Sequence, residues 1–249
     1  MPDSHPFASL ADSLPPLFMQ VYVIAMAVLV AAGTLYDVVH KGSARYFFTK
    51  WRQSGRRSLG GGALASVALR TALVDVLASG EFCNARRRIA HLLTMYGFLL
   101  YVLGTVVMVF DASAGALWLR LWWLGALMVC VGGYWFWFFI RVDVAAEGNS
   151  PLRVVRADLF ILSLVASATL ALVWAAAGGG AGVLFWAYLA ATTVLFGSVP
   201  WSKFAHMFFK PAAALEKRLA EAAGTRDNLP APADRPEQLG RRVRHARNY

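Results

Sequence analysis

Five histidines are the residues of this 249-residue chain best suited to hold a metal or move a proton, and position separates them. His5 and His245 lie near the two ends, and His40 closes an apolar stretch. His91 stands just inside a second apolar stretch, and His206 stands near the end of a fifth. If all five stretches cross a bilayer, His91 and His206 reach the same face at similar depth. Two neutral imidazoles facing each other across a helical bundle are the donor set of a six-coordinate haem iron. Polar residues also end spans for no chemical reason, so spacing alone leaves both readings open. Gly97 and Gly104 would thin the second helix for a flat macrocycle. Arg86, Arg87, Arg88 and Lys203 would stand where propionates meet the interface.

Other chemistries lack their residues. There is no P-loop, nucleophile elbow or HExxH motif. Cys83 falls in a loop and Cys130 inside a span, so the two cannot share an iron–sulfur cluster. Asp37 and Asp158, at span edges, read as interface residues, because a proton relay wants such groups deeper.

The elements that must position the histidines follow from composition. The chain is 58% hydrophobic and 15% charged, against about 25% charged in a typical soluble domain. Disordered, collagen-like and disulfide-stapled chains are excluded. The expected fold is an all-α integral membrane protein, a bundle of five transmembrane helices. The spans fall at about 17–39, 89–110, 118–140, 159–177 and 183–207, each near the roughly 20 residues that cross a bilayer. Pro200 should kink the last. The stretch from Gly60 to Ser79 imitates a span but contains Arg70 and Asp75. It reads as a surface helix with Leu64, Leu73 and Leu77 towards the bundle. Trp118, Trp122, Trp123 and Trp201 fall near the predicted interfaces, as belt residues should.

Charge sets the orientation. The loop at 40–88 holds ten basic residues, the loop at 141–158 three, and the chain from Pro200 onward ten. Arg120 is the one exception, so 23 of 24 fall on one side if the N-terminus is outside and the C-terminus cytoplasmic. Residues 1–16 lack a basic n-region and read as an external segment, not a cleavable signal. Residues 212–249 read as a basic cytoplasmic tail. It opens with a short helix bearing Glu216, Lys217, Arg218 and Glu221 on a polar side, and it ends in a run with Arg241, Arg242, Arg244 and Arg247. The net charge of +10 thus encodes topology and contact with lipid rather than binding to nucleic acid.

Two motifs carry a resemblance. The first is Val74–Asp75–Val76–Leu77 with Cys83, Arg88, His91 and Tyr96–Gly97–Phe98. The second is Pro200–Trp201–Ser202–Lys203–Phe204–Ala205–His206–Met207–Phe208, a P-x-S-K-x-x-H pattern. Together, over roughly residues 17–211, the chain resembles the respiratory nitrate reductase gamma subunits and their relatives in heterodisulfide and sulfite reductase membrane complexes. The resemblance implies a b-type cytochrome of the cell inner membrane, with His91 and His206 as axial ligands of haem iron and Arg88 and Lys203 beside the cofactor. The nitrate reductase members hold a second haem on a deeper histidine pair, whose positions fall near Tyr101 and Tyr188 here. One haem b is therefore expected, as in a single-haem partner such as the membrane anchor of adenylylsulfate reductase.

The expected function is electron transfer between a cytoplasmic oxidoreductase docked on the basic inner face and the quinone pool, with no stand-alone catalysis. A haem-free membrane anchor and a small transporter are the alternatives.

Overall fold

The computed structural model describes residues 5–40, 49, 60–80, 82, 84–141, 154–155, 158–201 and 206–223; side chains at 206–210 and 223 are not described. Every regular element among the described residues is helical. A short helix α1 (Pro6–Ser9) and a 3-10 turn (Leu10–Asp12) precede the long α2 (Pro16–His40). Next come α3 (Gly61–Arg70), which continues as a π-helical stretch (Thr71–Leu77), and α4 (Ala85–Phe110). The fifth helix, α5 (Ala116–Trp135), also ends in a π-helical stretch (Phe136–Ile140). The last three are α6 (Leu159–Ala176), α7 (Val183–Gly197) and α8 (His206–Ala223), with a 3-10 turn (Val199–Trp201) after α7.

Four helices are long and apolar enough to cross a membrane: α2, α4, α5 with its π-helical end, and α6. Their windows of mean hydropathy 1.7 to 2.2, several in one chain, make a multi-pass membrane protein. On α2, Leu17, Val21, Ile24, Val28, Leu35 and Val39 are all more than half exposed at three-, four- and seven-residue spacing. Such a stripe is unfavourable in water and natural in lipid. The fifth apolar helix is shorter than expected. α7 stops at Gly197 and the chain turns through Val199–Trp201; residues 202–205 lie outside the described residues, and α8 follows them. Pro200 has no N–H for a helical ladder, and it lies in that 3-10 turn beyond the end of α7 rather than at a kink within the helix.

Packing follows chain order: α4 lies on α5, α5 on α6, α6 on α7, and α7 on α2, which also touches α4. The α4–α5 pair is the tightest. A Cβ on Gly97 would meet the Gly125 carbonyl oxygen at 2.8 Å, and one on Gly125 would meet the Tyr101 nitrogen at 2.5 Å. Gly104 lies against Trp122 in the same way. Gly97 and Gly104 therefore admit a neighbouring backbone, as small residues do in membrane bundles, and leave no slot for a macrocycle on that face. Trp122 is correspondingly core rather than belt: it is fully buried, and its indole N–H donates to Thr105 Oγ1 at 2.9 Å.

Three further expectations are corrected. Leu73 and Leu77 stand about half exposed, and it is Thr71 and Asp75 that turn inward. The wider π turn after Arg70 rotates the residues that follow. Glu216 is buried, so the inner face of α8 is not purely apolar. Asp158 is more than an interface residue. It accepts from Arg141 Nε at 3.1 Å and pairs with Nη2, tying the end of α5 to the start of α6. Asp37, near the end of α2, is buried as well.

Candidate functional site

His91 lies two turns into α4, a helix whose start is fixed by Asn84. The Asn84 side-chain oxygen accepts from the Arg86 backbone N–H at 2.9 Å, satisfying a donor that the first turn leaves open. The turn before α4 is tied back onto the helix twice. Arg88 Nε donates to the Ala78 carbonyl and Tyr96 Oη to the Leu77 carbonyl, both at 2.8 Å. The His91 ring packs against Phe82 with centroids 4.9 Å apart and planes at 45°.

On this scaffold His91 lines a cavity of about 310 Å³. Its floor is α4 at Thr94 and Phe98, and one wall is α6 at Phe160 and Leu164. The π-helical end of α3 and the Pro211–Ala214 stretch of α8 complete it. The walls are mainly apolar. Thr94 turns its hydroxyl onto the Ala90 carbonyl at 2.8 Å, and Asp75 sits at the rim, engaged by Arg218. An imidazole lining an apolar cavity of this kind is the side-chain type that an axial-ligand role requires. The volume is at the lower end of the roughly 300–1,000 Å³ typical of small-molecule sites.

The expected site residues divide clearly. His91 is on the cavity. Arg88 lies one turn earlier, with its Nε committed to the chain. Lys203 and Cys83 fall outside the described residues. His206 is the first residue of α8, the helix that closes the cavity, and its side chain is outside the described residues. His40 ends α2 stacked on Tyr36 at 5.2 Å, away from the cavity lining. Among the described residues, no group of three His, Cys, Asp or Glu side chains could hold a metal ion.

Deeper in the bundle, side chains occupy the region of Tyr101 and Tyr188. Both are buried. Tyr101 Oη is 3.2 Å from Ser167 Oγ, which is 2.8 Å from Thr192 Oγ1. Tyr188 stacks on Trp174 at 5.6 Å, and Tyr101 tilts against Trp122 at 5.8 Å. Each hydroxyl has a partner, as buried polar groups in lipid require.

Sequence reasoning missed the far end. His5 is not a solvated tail residue: it is buried, with Phe7 and Leu10 seated beside it. The spacing of Phe7, Leu10 and Leu14 was the available signal, a three-to-four-residue apolar period before the first span. Comparison of the chain with protein-family models, curated proteins and solved structures returns no match.

Proposed function

We propose that this chain is a five-span subunit of the cell inner membrane, N-terminus outside and C-terminus cytoplasmic. It holds one haem b and passes electrons between a docked cytoplasmic oxidoreductase, of the adenylylsulfate reductase kind, and quinone in the bilayer. The observation that carries this reading is the His91 imidazole on the wall of an apolar cavity, where α8, the helix opened by His206, helps close the other side.

Bound there, a haem would supply one-electron redox chemistry, and His91 and His206 are the residues that would hold it. The chain's own residues hold and shield it. Phe82 orients the His91 ring, while Phe98, Phe160 and Leu164 exclude water. Arg88 and Lys203 offer cationic donors to carboxylates at the interface. A whole macrocycle needs α8 to stand off from α4, and among the described elements α8 is held chiefly by α3. The single-haem stoichiometry rests on the tyrosine, serine and threonine contacts that fill the deeper region.

The fifth span is α7 with its following turn. Fifteen helical residues reach about 22 Å, and the 3-10 turn adds about 6 Å, close to the roughly 30 Å hydrocarbon core. Orientation rests on the 23 of 24 basic residues that this topology puts on one side.

Haem content of the purified protein, set against protein concentration, tests the reading. One haem per chain is expected. Two would overturn the single site, and none from haem-replete cells would leave a membrane anchor without redox function.

A further inference from the structure

The end of the bundle away from the His91 cavity is covered by residues 5–12. Phe7 sits edge-on to Trp122 and Trp174, with centroids 6.0 and 5.2 Å away. Leu10 is buried beside it. The Pro6 carbonyl presses on the α6–α7 turn at Gly179, whose φ of +75° suits glycine and where a Cβ would meet that oxygen at 2.8 Å. His5 holds the start of this segment. Its Nδ1 accepts from the Ala8 N–H at 3.1 Å, so the ring is neutral and its proton is on Nε2. Nε2 is buried beside the Ala112 backbone and, among the described residues, makes no well-formed hydrogen bond.

We propose that residues 5–12 are a pH-operated cap, seated on the bundle end while His5 is neutral and released when His5 takes up a proton. Protonating Nδ1 removes the acceptor that caps α1 and puts a positive charge in a 4% exposed site. Phe7 and Leu10 then lose their anchor, and Trp122 and Trp174 become accessible.

The surrounding groups fix the sign. Burial lowers the His5 pKa below its ordinary value, while the Ala112 backbone and the Asp111 carboxylate act more weakly in the other direction. Asp111 accepts from Ser113 N–H and Oγ, which hold its own pKa down, so it stays anionic throughout. From the other elements, the α6–α7 turn offers only alanine and glycine, Trp122 and Trp174 are uncharged, and Arg120 on α5 and Asp12 on the segment itself are exposed. A group whose pKa is lowered on seating binds fewer protons when seated. Seating is therefore complete above the released value near 6.5 and weakens as pH falls below it.

The test is a nitroxide on Ser9→Cys, in the full-length chain with Cys83→Ser and Cys130→Ser, reconstituted in bilayer discs. The mobile fraction should rise severalfold between about pH 8 and about pH 5. Asp111→Asn removes a charge that favours the seated imidazolium, so release should be more complete and its midpoint should move to higher pH. His5→Gln should stay immobile throughout. A wild-type spectrum unchanged with pH, or a transition that survives in His5→Gln, overturns the proposal. If His5→Gln fails to seat at any pH, Asp111→Asn decides: an upward shift supports the cap, and an unmoved midpoint overturns it.

Discussion

Arg218 and Asp75, 143 residues apart, join α8 to α3 through two guanidinium donors on one carboxylate, with Nη2 donating to Oδ1 at 2.7 Å and Nε to Oδ2. Asp75 is one of the residues lining the His91 cavity, so the contact ties α8 to the cavity wall. The Arg218 guanidinium holds the Asp75 carboxyl below its ordinary range, with burial opposing more weakly. A lowered carboxyl pKa means the contribution is fully present above about pH 4 and is lost as pH falls through the folded value. The latch should therefore be constant from about pH 5 to about pH 8.

Charge-assisted bonds of this kind contribute about 1.5–3 kcal/mol. Arg218→Gln or Asp75→Asn should therefore raise hydrogen exchange across residues 212–222 by about tenfold or more. Unchanged exchange would mean that α8 is held elsewhere.

The glycine seam between α4 and α5 predicts a position-specific cost. Gly125→Ala forces a methyl group onto the Tyr101 backbone nitrogen, and overpacking of this sort costs roughly 1–3 kcal/mol. Gly62→Ala, with open space around it on α3, should be neutral or stabilise by about 0.5–1 kcal/mol. Thermal unfolding of both variants in one detergent makes the comparison; equal midpoints would contradict the seam.

The Arg141–Asp158 pair predicts an asymmetry. Arg141 is buried and its guanidinium lies 3.9 Å over the Trp137 ring. Asp158→Asn removes a carboxylate paired with it and should cost about 1–3 kcal/mol. Arg141→Met with Asp158→Leu should cost much less, because no charge is then left buried. Stability measured on the single and double variants distinguishes a charge effect from simple loss of packing.

The topology predicts that reporter fusions at Gly55, Ser113, Glu147, Gly180 and Gly224 alternate in, out, in, out, in. An outside signal at Gly224 would remove the shared face on which His91 and His206 depend.

Hydropathy made the long helices legible, because a run of apolar residues that crosses lipid leaves little freedom in where it starts and stops. α4 and α6 begin and end within about four residues of their expected bounds. What each helix face touches was not legible. Gly97 suits a backbone or a macrocycle equally, and only the placement of α5 decides. Ordinary helical spacing points Leu73 and Leu77 inward, and the π turn at Thr71 undoes that register. Within the candidate site, the place of His91 near the start of an apolar helix was readable from the sequence, and the cavity beside it was not. The Asp75–Arg218 latch was not, since nothing local links two charges so far apart in the chain. The seating of His5 depends on Trp122 and Trp174, which come from two other helices.

The most direct test of the central claim is the reduced and oxidised visible spectrum of the protein beside its His91→Ala and His206→Ala variants. A low-spin b-type spectrum that is lost in either variant and retained in Tyr101→Phe and Tyr188→Phe is the predicted result. A colourless wild-type protein from haem-replete cells, or a low-spin spectrum that survives His91→Ala, would contradict the account.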